Sequence, residues 1–89
     1  MITLKHLKIY QKYEGDGDSL LRSGKPEEKE LMNYSDWKII EELIQDFNLL
    51  KKGYTSADYS EKTISKINEN CDSAETVAEF KRLADKYVK

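Results

Sequence analysis

The segment from Ser35 to Gly53 carries the pattern that most constrains how this chain folds. Ser35 suits the N-cap of a helix, and two lysines followed by Gly53 are typical of a helix C-terminus. Apolar residues between them follow the helical period and cover an arc of roughly 160°, namely Trp37, Ile39, Ile40, Leu43, Ile44, Phe47 and Leu50. A helix with so broad an apolar arc is contacted on more than one side. The pattern therefore predicts a central core helix over residues 35–52, with Trp37 buried.

Three further helices are indicated by their caps and their apolar faces. Thr3 is placed to cap a helix that runs to about Tyr13, and Ser56 and Ser73 are placed to cap two more. The face of the helix after Ser56 is apolar but weak, and it consists of Tyr59, Ser60, Thr63, Ile64, Ile67 and Cys71. The face of the last helix consists of Val77, Phe80, Leu83, Ala84, Tyr87 and Val88.

The stretch of residues 15–33 separates the first helix from the central one. Gly15 and Gly17 interrupt a continuous helix, whereas Asp18 suits the cap of a short helical turn and Pro26 suits the first position of another. No segment alternates β-branched and aromatic residues with polar ones, as a strand requires. The sequence predicts an all-α fold in a single domain, residues 1–89. Its architecture is expected to be a compact bundle of about four principal helices, with a short helical turn or two in the 15–33 connection.

Charge and apolar content limit where this chain resides. Its 89 residues are 36% charged, with a formal net charge of −2, and no apolar run approaches the roughly 18 residues that span a bilayer. The N-terminal residues lack the apolar stretch of a secretory signal. A single cysteine cannot form the internal disulfides on which small secreted domains depend. We therefore expect a cytoplasmic protein that does not associate with membranes.

Few residues are candidates for catalysis or metal binding. His6 is the only histidine and Cys71 the only cysteine, so a nucleophile and its base would use both. Each lies on the apolar arc of its helix, and we interpret both as buried structural residues. Glu14, Asp16 and Asp18 have the carboxylates of a calcium loop, but their register lacks the glycine and glutamate of an EF-hand. The sequence thus predicts no enzyme, catalytic residue, metal site or cofactor, with a metal-dependent protein or an enzyme accessory subunit as the third hypothesis.

Nucleic-acid binding would require a basic surface. Lys5, Lys8 and Lys12 form one basic stripe on the first helix, and Arg22 and Lys25 follow along the chain. The long helix, which would be the natural recognition helix, lies in the most acidic part of the chain, and the sequence pI is about 5.4. Nucleic acid is therefore disfavoured as a partner. A small regulatory nucleic-acid-binding protein is the alternative hypothesis.

Contact with another protein is the function that these exclusions leave. The predicted contact residues are apolar, aromatic or charged residues outside the core pattern, namely Leu20, Tyr34, Glu42, Leu49 and Tyr54. Seven carboxylates in residues 27–46 favour a basic partner. The predicted function is a small non-catalytic protein–protein interaction module, as an inhibitor, an adaptor or an assembly protein. In size, acidity and helicity the chain is similar to small bacterial inhibitors, including immunity proteins. A homodimer through Leu20 and Leu49 is a further hypothesis.

Overall fold

Six α-helices make up about 80% of the computed structural model, which describes residues 1–53 and 56–87. They are α1 (Leu4–Lys12), α2 (Gly17–Ser23), α3 (Pro26–Leu31), α4 (Tyr34–Lys52), α5 (Ala57–Asn70) and α6 (Ala74–Lys86). The two short helices, α2 and α3, occupy the connection between α1 and α4. Within the described ranges, β-type pairing is limited to an isolated bridge between Ile2 and Cys71. The prediction of an all-α fold is confirmed.

Side-chain caps explain most of the helix boundaries. The Thr3 hydroxyl accepts the His6 amide at 3.3 Å, and the His6 ring accepts the Thr3 amide at 2.9 Å, which together start α1. Ser56 and Ser73 cap α5 and α6, as predicted. Gly53 ends α4 with a φ of 76°, in the left-handed region that favours glycine.

The predicted N-cap of α4 is wrong by two residues. The helix begins at Tyr34, and its cap is Asn33 rather than Ser35. The Asn33 side chain accepts the Asp36 amide at 2.9 Å, and the Asp36 carboxylate accepts the Asn33 amide at 3.4 Å. Because this reciprocal pair satisfies two amides at once, it stabilises the earlier start.

The core lies where the four longer helices meet. α4 packs against α5 and α6, and α1 packs against α6. Each of these four helices contributes side chains that are almost fully buried, namely Leu7, Tyr10, Ile40, Ile67, Phe80 and Leu83. Trp37 belongs to this core, as predicted. Ile64, which was predicted on the core face of α5, is exposed because that face is centred on Thr63 and Ile67.

The N-terminal residues are held at the junction between α5 and α6. The Ile2 amide donates to the Asn70 carbonyl at 2.6 Å, and the Ile2 carbonyl accepts the Asp72 amide at 3.0 Å. The Ile2 side chain is buried in the core. Since α1 starts two residues later, this pairing holds the beginning of α1 beside the junction that leads into α6.

Candidate functional site

The two residues considered for catalysis are both buried. His6 is 6% exposed, and both of its ring nitrogens are engaged: Nδ1 accepts the Thr3 amide, and Nε2 donates to the Leu31 carbonyl at 2.8 Å. These bonds fit the tautomer that carries its proton on Nε2. Burial raises the pKa of the Cys71 thiol, and the neighbouring Asp72 carboxylate adds to the increase. The burial predicted for His6 and Cys71 is confirmed.

The acidic stretch before α2 acts as a helix cap. The Asp16 carboxylate accepts the Asp18 amide at 3.1 Å and the Ser19 hydroxyl at 2.9 Å, so that Asp16, rather than Asp18, caps α2. The hydrogen bond from Ser19 is the largest cause that holds the pKa of Asp16 below its ordinary value. Across residues 1–53 and 56–87, no three His, Cys, Asp or Glu side chains are arranged to hold a metal ion.

The two leucines of α2 are divided between core and solvent. Leu20 is 4% exposed, so its prediction as a contact residue is wrong, whereas Leu21 is 62% exposed. Successive helical residues point about 100° apart, so that only one of an adjacent pair faces a given core. Gly24 packs directly against Leu20, because a Cβ at Gly24 would lie 2.7 Å from Leu20 Cδ1 and closer still to the Leu20 carbonyl oxygen. The exposed apolar side chain of α2 is therefore Leu21.

A cleft of about 460 Å³ lies between α2 and the α3–α4 junction, and we call it the α2–α4 cleft. One side is formed by residues of the 15–21 segment, including Leu21. The other side is formed by Lys29, Met32 and the first two turns of α4, including Tyr34 and Lys38. Its volume is within the range of sites that accept ligands or partner side chains.

Trp37 forms the floor of the α2–α4 cleft and is held by three contacts. Its Nε1 donates to Glu41 Oε1 at 3.0 Å. Its ring lies against Tyr10, with the ring centroids 4.7 Å apart. Gly17 approaches the indole so closely that a Cβ there would lie 3.3 Å from Nε1. The floor is therefore preformed, because the indole packs against Tyr10 and is held at its polar edge by Glu41 and the close approach of Gly17.

The two sides of the α2–α4 cleft differ in net charge. Asp16 and Asp18 lie on the α2 side, and Lys29 and Lys38 lie on the α3–α4 side together with Glu41, whose carboxylate accepts the Trp37 indole. The Lys38 ammonium is 5.8 Å from the centroid of the Tyr34 ring, within reach of a cation–π contact. In the parts of the chain that the structure describes, no ion pair involves Asp18, Lys29 or Lys38. These charges are therefore not matched by opposite charges of the described residues.

Three of the predicted contact residues share one exposed face of α4. Tyr34 is 70% exposed and Leu49 is 43% exposed, and Glu42 is exposed between them. We define the α4 outer face by its exposed residues Tyr34, Lys38, Glu42, Gln45 and Leu49, which recur at helical spacing. It is about 22 Å long at the helical rise. Tyr54, the remaining predicted contact residue, lies outside the described residues.

The acidic run that favoured a basic partner is largely engaged within the chain. Four of its seven carboxylates accept hydrogen bonds from other described residues, namely Glu28, Asp36, Glu41 and Asp46. Glu28 accepts the Tyr13 hydroxyl at 2.6 Å and the Lys12 ammonium at 2.9 Å, and these contacts lower the pKa of Glu28 to about 2. The exposed members are Glu27, Glu30 and Glu42. The exposed acidic surface is therefore smaller than the sequence indicated.

Carboxylates also interrupt the basic stripe of α1. Lys5, Lys8 and Lys12 are all exposed, but Lys12 pairs with Glu28. Glu79 of α6 accepts the Gln11 side chain at 3.1 Å beside the stripe. A hydrogen bond from Arg82 is the largest cause that lowers the pKa of Glu79, and Lys8 adds to it. The structure therefore offers less continuous basic surface to a nucleic acid than the stripe suggested.

Comparisons with known proteins identify no relative. A scan against protein-family models found no matching family, and searches of the curated proteins and of the solved structures found no significant match. No helix in residues 1–53 and 56–87 combines the length and the apolar character needed to cross a membrane. The function is therefore inferred from the α4 outer face and the α2–α4 cleft.

Sequence reasoning missed Lys29 and Lys38 as site residues and, of the two adjacent leucines in α2, named Leu20 as the contact residue instead of Leu21. Leu21 belongs to a pair of adjacent leucines, and that pair was the only local signal for it. Lys29 and Lys38 occupy ordinary polar helix positions, and no local pattern marks them. They face Asp18 only because α2 folds back beside the start of α4.

Proposed function

We propose that this protein is a non-catalytic module that binds another protein through the α4 outer face. The observation that carries the proposal is the exposure of Tyr34 and Leu49, by 70% and 43%, at the two ends of one helix face. Tyrosine supplies contact area at low entropy cost and is enriched in interfaces. A helix that presents apolar residues along one face is a common mode of recognition. The proposed role is that of a cytoplasmic inhibitor, of the immunity type among others, an adaptor or an assembly protein.

The rest of the fold acts in this proposal as a rigid support for α4. On its buried side, α4 contacts α5 and α6, and α6 in turn contacts α1. Trp37, Ile40 and Ile44 anchor that side in the core, each 5% exposed or less. Because the buried side is fixed, the outer face is presented without rearrangement, and a partner does not have to order it on binding.

Charge on and near the α4 outer face indicates the chemistry of the partner. Lys38 and Glu42 lie between the two apolar ends, so the face itself is close to neutral. Glu27 and Glu30 are exposed on the preceding helix. An apolar groove bordered by basic residues would cover Tyr34 and Leu49 and would meet the exposed carboxylates at its rim. The proposed partner is a protein with such a groove.

Site-specific photo-crosslinking tests the proposal. A photoreactive amino acid replaces Glu42 on the α4 outer face or, as a matched control, Glu61 at an exposed position of α5. In cells that produce the protein, we expect from position 42 a discrete adduct with a protein other than a second copy of this chain, and none from position 61. Leu49→Asp should remove the adduct, since it places a charge at the apolar end of the face. Equal labelling from both positions, or an adduct that survives Leu49→Asp, would contradict the proposal.

A further inference from the structure

We infer that the α2–α4 cleft is a self-association surface whose occupant is a second copy of this chain. Apart from the terminal Met1, Tyr34 and Leu21 are the most exposed large apolar side chains among the described residues, and both line this cleft. Leu31, which is 40% exposed, precedes the cleft residue Met32 directly. A concentration of exposed apolar side chains around a preformed cleft is typical of a contact site.

Charge complementarity selects a second copy as the occupant. Asp16 and Asp18 lie on the α2 side, whereas Lys29 and Lys38 outnumber Glu41 on the α3–α4 side, and the Glu41 carboxylate already accepts the Trp37 indole. A uniformly basic partner would satisfy the carboxylates but would face the lysines with like charge, and an acidic partner would do the reverse. A second copy rotated by half a turn places each α2 side against the other copy's α3–α4 side. Both sets of charges are then matched, and each contact occurs twice.

The same rotation gives the exposed tyrosine a binding position. In a two-fold interface Tyr34 of each copy enters the cleft of the other, where Leu21 and Trp37 provide apolar and aromatic surface. Trp37 is already fixed by Tyr10 and Glu41, so the receiving surface needs no rearrangement. The interface thus combines an aromatic anchor at its centre with ion pairs at its edges.

Sedimentation equilibrium of the purified chain tests this inference. The monomer mass is 10.4 kDa, and we expect a monomer–dimer equilibrium at tens of micromolar. Tyr34→Asp should weaken the dimer at least tenfold, while aspartate in the first turn of α4 keeps the helix favourable. Leu49→Asp is the matched control, since it adds the same charge to α4 outside the cleft and should leave this dimer intact. A dimer through Leu49, as the sequence suggested, would be lost instead. Far-UV circular dichroism verifies that both variants remain helical.

Charge reversal tests how the two copies are arranged. The double variant Lys29→Glu with Lys38→Glu makes both sides of the cleft acidic, and Asp18→Lys reduces the acidity of the α2 side. We expect each variant alone to dimerise at least tenfold more weakly than the wild type. An equimolar mixture should associate more strongly than either variant alone. One contact then keeps the wild-type pairing of two carboxylates with two lysines, and in the other the lysine introduced at position 18 faces the two introduced carboxylates. Glu61→Lys, a reversal on α5 outside the cleft, should leave dimerisation unchanged.

Three outcomes would overturn the inference. A wild-type chain that sediments as a monomer at several hundred micromolar would assign the cleft to a different partner. A dimer that survives Tyr34→Asp, or a mixture of charge variants that does not associate, would place the interface elsewhere. Sedimentation uses the purified chain alone, so each of these results leaves the crosslinking test at position 42 unaffected.

Discussion

Trp37→Ala is the change that most directly tests how α4 is held in the core. The indole is 5% exposed, packs against the Tyr10 ring at an interplanar angle of 36° with the ring centroids 4.7 Å apart, and donates to Glu41 at 3.0 Å. Alanine removes both interactions and leaves a void beneath the α2–α4 cleft, next to Gly17. We therefore expect a large loss in the free energy of unfolding, since the loss combines removed apolar burial with an unfilled cavity.

The expected loss is about 3–5 kcal/mol, the usual cost of truncating a buried tryptophan to alanine. The ring pair with Tyr10 contributes about 0.5–1.5 kcal/mol of it. The hydrogen bond to Glu41 adds little, because that carboxylate is partly exposed and water can replace the indole donor. At roughly 0.05–0.15 kcal/mol per residue, a chain of this length has a total stability of about 4–13 kcal/mol. Trp37→Ala therefore removes a quarter or more of the stability.

Urea unfolding followed by far-UV circular dichroism measures this loss. With a slope of about 1 kcal/mol per molar urea, the midpoint should fall by about 3–5 M. Trp37→Phe is the control, since it keeps an aromatic ring against Tyr10 and should lose less than half as much. An alanine variant whose midpoint stays within about 0.5 M of the wild type would refute the placement of Trp37 in the core.

Three other changes test separate contacts. His6→Ala removes the donor to the Leu31 carbonyl and half of the α1 capping box, and should lower the free energy of unfolding by about 2–4 kcal/mol in urea. Gly24→Ala forces a Cβ against Leu20 and should cost about 1–3 kcal/mol, measured as a lower melting temperature. The pKa of Glu28 is lowered to about 2, so its contribution to stability is complete above its unfolded-state value of about 4.3 and is lost as the pH falls towards 2. Glu28→Gln should therefore flatten that part of the acid-unfolding curve. An unchanged urea midpoint for His6→Ala, an unchanged melting temperature for Gly24→Ala, or an unchanged acid curve for Glu28→Gln would contradict the contact that each variant removes or crowds.

Local chemistry accounts for the parts of the fold that were predictable from the sequence. Thr3, Ser56 and Ser73 were identified as caps because a cap depends on residues within one helical turn. The wrong cap predicted for α4 also depends on residues within one helical turn. Asn33 is followed three residues later by Asp36, which returns a hydrogen bond, whereas the residue three positions after Ser35 is a lysine. A search for the reciprocal pair would have found the correct cap.

Contacts between segments distant in sequence determine the parts of the fold and of the candidate site that the sequence did not predict. Leu20 and Leu21 lie in a helix of seven residues, which is too short for periodicity to show which of them faces the core. The choice depends on how the chain turns at Gly24 to begin α3. The α2–α4 cleft is equally non-local, since Gly17 and Trp37 touch across the whole 15–33 connection. No pattern within one helix contains that information.

Charge counting along the chain misjudged the acidic surface for a reason that also determines the candidate interface. In the sequence, Glu28 and Asp46 were counted as carboxylates available to a partner. In the folded chain, tyrosine hydroxyls from other segments donate to both. Asp18, Lys29 and Lys38 gain no ion-pair partner among the described residues, although none of them stands out in the sequence. The partner that a surface attracts therefore depends on the charges that have no ion pair after folding, and not on which sign of charge is more frequent in the sequence. Among the charges without an ion pair, Asp18, Lys29 and Lys38 have opposite signs across one cleft, an arrangement that a second copy of the chain matches better than a uniformly basic partner.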